Sequence, residues 1–204
     1  MKKMQLIKYI LNNLSEKAMI YKSSYILLNP VVEIAGGFCF EGSATKGDFY
    51  VSYFNQPLYI VHDYLHLTFG DRLADSKNHS CFNLEDINEV EVQDLLTVMN
   101  NKIQFLKELS DPIKFYSYYK SRHQGNLRIR EAVIYTSFWL SLPTAYDELN
   151  DFLASFSSED LSILWRKDLR DKLIQLKEHP QPKVLLEQWK QETLSNLKLN
   201  SSAN

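Results

Sequence analysis

The chain has 204 residues, 23 Lys and Arg against 25 Asp and Glu, a net charge of −2, 45% hydrophobic residues, six glycines and six prolines. A near-neutral balance excludes global attraction to nucleic acid or to an anionic membrane, and the composition is that of an ordinary soluble domain. At this length folding buries roughly 70% of the unfolded surface, so neither a metal nor a disulfide is needed for stability.

Residues 3–15 place Leu6, Ile10 and Leu14 on one face, backed by Ile7 and Leu11, which predicts a short amphipathic helix. Charge and amide groups interrupt the apolar run QLIKYILNNLSEK, so no secretory signal is expected. From Met19 the texture changes to YILLNPVVEIAGGFCFEG, FYVSYFNQPLYIV and YLHLTFGDRL, tracts of β-branched and aromatic residues separated by Asn-Pro, Gly-Gly and Lys-Gly-Asp. These predict three to five strands in an antiparallel meander, with Pro57 marking an edge or a bulge.

After Asp75 the period becomes helical. Leu95, Met99, Ile103 and Leu106 mark one helix, and Ile113, Tyr116 and Tyr119 a second. Two more span Leu127 to Leu142 and Pro143 to Phe156. Ser157-Ser158-Glu159-Asp160 reads as a capping start for a helix carrying Leu161, Trp165, Leu169, Leu173 and Leu176 inward. A last helix runs from Val184 to Leu199 with Leu186, Trp189 and Leu197 inward, and 201–204 reads as a frayed tail. Strands followed by helices predict an α+β protein, with an N-terminal helix and sheet over 1–75 and five to six helices in antiparallel hairpins over 76–200, packed together as one compact unit.

The stretch PLYIVHDYLHLTFGDRL holds His62 and His66 four residues apart with Asp63 between them. On a helix the two rings stand roughly 5–6 Å apart and can converge on zinc; on a strand they are separated by about 13 Å and cannot. Alternation through Leu65-His66-Leu67-Thr68-Phe69 favours two strands turning at His62-Asp63, so no metal, cofactor or catalytic residue is expected. A hydrolase using His62 and His66, with Asp63 as base, is the alternative.

GGFCFEGSA has the spacing of a phosphate loop but Ser43-Ala44 in place of its Lys-Ser/Thr pair, so its glycines read as turn and bulge positions. Cys39 and Cys81 form no CxxC pair, and free thiols in a cytoplasmic protein are expected.

The segment KFYSYYKSRHQGNLRIR, from Lys114 to Arg130, carries five Lys or Arg, one His and four aromatics without an acidic residue. Such interleaving can hold single-stranded nucleic acid, while Lys120, Arg122 and His123 also suit the C-terminal end of a helix. The favoured reading is a face for an acidic protein partner built from Lys114, Tyr118, Lys120, Arg122, Arg128 and Arg130, with nucleic acid as the lesser alternative.

VVEIAGG, FYVSYFNQPLYIV and FGDRL, with Gln56-Pro57-Leu58-Tyr59 and Gly70-Asp71-Arg72-Leu73 as their most specific pieces, make the first 75 residues resemble a bacterial domain-of-unknown-function family. Some members of that family are taken to be immunity proteins of polymorphic toxin systems. The resemblance implies an α+β binding scaffold with no catalytic residues to transfer. The expected function is therefore a non-enzymatic protein-interaction module, an immunity-like inhibitor being its concrete form, with the oligomeric state left open.

Overall fold

A computed structural model describes residues 2–122 and 125–199. It confirms the α+β class. His123 and the 201–204 tail lie outside the described residues. The chain divides into two compact units, one of residues 1–56 and 65–111, the other of residues 57–64 and 112–204. The change from strand to helix near residue 75 therefore does not coincide with the division, because the first long helix of the second half belongs with the sheet.

In the first unit α1 (Lys3–Asn13) buries Leu6, Ile7 and Ile10. Strands β1 (Ala18–Tyr21), β2 (Tyr25–Leu28), β3 (Ile34–Gly42), β4 (Asp48–Pro57) and β5 (Gly70–Arg72) lie side by side in chain order, as a meander should. The β1–β2, β2–β3 and β4–β5 pairs are antiparallel. A sixth strand, β6 (Cys81–Asn83), pairs with the start of β4. It was not expected, since three residues are too few to display an alternation. Helix α2 (Glu89–Leu109) opens on a capping box: the Asn88 side chain accepts from the Val90 and Glu91 amides while Glu91 accepts from the Asn88 amide. Its Leu95, Met99 and Leu106 share a core with Leu6 and Ile10 of α1 and with Ile26, Phe38, Phe40, Phe49 and Val51 of the sheet.

Gly37 lies within β3, not in a turn. A Cβ built there would stand 2.1 Å from the Ile26 carbonyl oxygen of β2. Two paired strands cannot yield that space without spreading. Gly37→Ala is expected to cost about 2–3 kcal/mol, read as a lowered urea midpoint; an unchanged midpoint would mean the strands are not packed this closely.

The second unit holds α3 (Pro112–Lys120), α4 (Leu127–Trp139), α5 (Ala145–Ala154), α6 (Leu164–Glu178) and α7 (Pro182–Leu197). Helix α4 is central, touching α3, α5 and α7. Asn126 caps it by accepting from the Arg128 and Ile129 amides, and every residue from Glu131 to Trp139 is buried. A helix covered all round needs no amphipathic stripe. Ser157 and Asp160 make the expected reciprocal bonds. They open a 3-10 turn at Asp160–Ser162, and α6 begins only at Leu164. Likewise α5 begins at Ala145, not at Pro143. No described helix is long and apolar enough to cross a membrane.

Candidate functional site: a polar cleft on the helical unit

The strand pair expected through His62-Asp63 is not formed. Strand β4 stops at Pro57, β5 starts at Gly70, and the residues between form neither helix nor strand. Side chains serve part of this backbone, and the Asn55 amide of β4 donates to the Phe69 carbonyl at its end. Thr193 donates to the Ile60 carbonyl at 3.0 Å, and the His66 amide donates to Gln56 Oε1 at 2.6 Å. Leu58, Tyr59 and Ile60 are buried in the helical unit, whereas Leu65 and Phe69 are buried in the other. No helical turn runs through His62–His66, and His62 falls in the helical unit and His66 in the other. Asp63 accepts from Asn196 Nδ2 at 3.0 Å. Among the described residues, no group of three His, Cys, Asp or Glu side chains could hold a metal ion.

The basic stretch is divided by the fold. Lys120 pairs with Glu148 at 2.7 Å, and Tyr116 donates to the same carboxylate at 2.6 Å. Thr144 adds a third bond at 2.9 Å. Burial raises the Glu148 pKa, but these donors outweigh it and hold the carboxyl below its ordinary value. Arg130 lies over the Phe152 ring at 4.2 Å. Lys114 and Arg122 are exposed, with Arg122 stacked on Tyr118 at 3.9 Å. The predicted six-residue face is therefore two groups: Lys114, Tyr118 and Arg122 on α3 and its C-terminal turn, and Lys120, Arg128 and Arg130 in contacts with neighbouring helices.

Arg128 leads to a polar cleft of about 140 Å³ lined by Val61, His62, Arg128, Glu131, Trp165, Asp168, Leu169 and Lys172. Glu131 is only 2% exposed. Its Oε2 accepts from Arg128 Nη1 at 2.9 Å, and the Arg128 guanidinium stacks 4.7 Å from the Trp165 ring. Burial pushes the Glu131 carboxyl up, against the opposing pull of Arg128 and Lys172. One turn along α4, burial raises the Tyr135 hydroxyl well above its ordinary value, with the Glu131 charge adding to the effect.

Two earlier candidates, His62 and Arg128, meet here although they are far apart in sequence. Glu131 was missed, whereas Trp165, Asp168 and Lys172 lie in WRKDLRDKLIQLKEH, which reads by default as a core stripe with a solvated outer face and otherwise as a binding groove. A lone acid at the head of the apolar run AVIYTSFW was the available signal, since a helix buried on all sides must pair any charge it carries. Trp165 was expected on the core stripe; it is instead 39% exposed, because α6 starts late and leaves it in the first turn. The thiols carry no site: Cys39 is buried, which pushes it up to about 11, and Cys81 is exposed.

Fold and cleft together define an α+β protein of a six-stranded sheet unit and a five-helix unit, the latter bearing a charged cleft beside exposed apolar residues. No protein-family model, curated protein or solved structure matches the chain.

Proposed function

We propose that this chain is a non-enzymatic protein-binding module whose helical unit presents the binding face. One observation carries the reading: Ile163, Leu164 and Trp165, consecutive at the start of α6, are 38%, 73% and 39% exposed. Among the described residues, seven of the ten exposed large hydrophobics lie in this unit. Trp165 is flanked by the guanidinium groups of Arg128 and Arg166, at 4.7 and 5.4 Å. An apolar centre with Trp and Arg is the composition of binding hot spots, and a cationic rim suits a partner with an acidic one. Inhibition of the partner by steric cover is the form suggested by the family resemblance of the first 75 residues.

Leu164→Asp tests this. An exposed substitution leaves stability within roughly 0.5 kcal/mol, while a charge placed in the apolar centre weakens binding by about 2 kcal/mol or more. Wild-type protein immobilised against lysate of its source cells should retain a partner that Leu164→Asp loses, with unchanged circular dichroism. A partner held equally by both forms, or none held by wild type, overturns the reading.

A further inference from the structure

We propose that the cleft lined by His62, Arg128 and Lys172 binds a compact oxyanion, a carboxylate or a phosphate group. Arg128 is held from two sides, by the 2.9 Å hydrogen bond it donates to Glu131 and by the Trp165 ring at 4.7 Å. One Nη1 hydrogen bond occupies only part of a five-donor guanidinium, and a planar fork already fixed in place loses little freedom on taking an oxyanion. Lys172 is half-buried, and the Glu131 carboxylate whose charge it feels is already hydrogen-bonded to Arg128. Two cations thus share one buried carboxylate, and a bound anion supplies the second negative charge.

Two acids oppose an anion. Glu131 is offset by its own pairing with Arg128. Asp168 is exposed, so water and salt screen it far more than they screen Lys172. The balance therefore favours an anion over an amine. Size limits the ligand: about 140 Å³ is well under the 300–1,000 Å³ of ordinary ligand pockets. A single oxyanion group fits, and a nucleotide does not.

The indole N–H of Trp165, distinguished from the other two tryptophans by Trp165→Phe, reports occupancy by NMR. The full chain is titrated at neutral pH and constant ionic strength with phosphate, with acetate, and with chloride and methylammonium as controls. A saturating shift with phosphate or acetate, absent with both controls, is expected below about 50 mM. Response to phosphate alone or to acetate alone assigns the class. Lys172→Met should weaken binding about fivefold, and Asp168→Asn should tighten it about twofold. No saturation with either anion, no effect of Lys172→Met, or saturation by methylammonium with weakening in Asp168→Asn overturns the proposal. A protein partner that is lost in Leu164→Asp while anions fail to bind would sink this inference alone, since Leu164 does not line the cleft.

Discussion

Tyr59→Ala is expected to lower the stability of the helical unit by about 4 kcal/mol. Its side chain is fully buried, its ring stacks on Trp139 at 4.8 Å and 15°, and its hydroxyl shares a 2.7 Å hydrogen bond with Thr136. Truncation removes the transfer energy of a large ring, leaves a cavity that α4 cannot close, and strips a buried Thr136 of one partner. Trp139, Trp165 and Trp189 all belong to this unit, so urea unfolding followed by tryptophan fluorescence reads it selectively. Tyr59→Phe separates the ring from the hydroxyl and should cost only about 1 kcal/mol. A loss below about 1 kcal/mol in Tyr59→Ala would show that the 57–64 segment is not anchored there.

Arg128→Met produces the second large effect, and a pH-dependent one. Removing the cation leaves Glu131 as a buried charge without its ion-pair partner, which costs about 3 kcal/mol near pH 8. The folded-state carboxyl is already raised above its ordinary value by burial, and losing Arg128 raises it further. A raised carboxyl stabilises the fold fully below the unfolded value of 4.5 and loses that contribution as pH rises through the folded value. The deficit of Arg128→Met against wild type should therefore be small near pH 4.5 and grow with increasing pH. The double variant Arg128→Met/Glu131→Gln should lose this pH dependence, because no buried charge remains. A deficit that is flat from acid to alkaline pH would mean that Glu131 is solvated, and the closed cleft would not survive that result.

Much of the fold was legible in the sequence because it rests on local periodicity. Leu95, Met99, Ile103 and Leu106 at helical spacing did form one buried face of α2, and the β-rich tracts before Pro57 did form neighbouring strands. The reading failed where two kinds of burial share one stretch. In 57–69 the run Leu58-Tyr59-Ile60-Val61 is continuously apolar and Leu65 to Phe69 alternates, as in two strands, but Tyr59 and Ile60 are buried in one unit and Leu65 and Phe69 in the other. The candidate site was half legible: His62 and Arg128 stood out by residue type, whereas Glu131 looked like an ordinary helix charge.

The sequence by itself determined the α+β class, the order of the main helices and the lack of a disulfide framework, since each follows from composition or from a period of a few residues. Only the tertiary structure decided that 57–64 joins the helices, that Glu131 is enclosed against Arg128, and that Trp165 faces water. Those outcomes depend on which surfaces meet between distant stretches of chain, and burial of a charge or exposure of an indole is set by that meeting, not by the residue's neighbours in sequence.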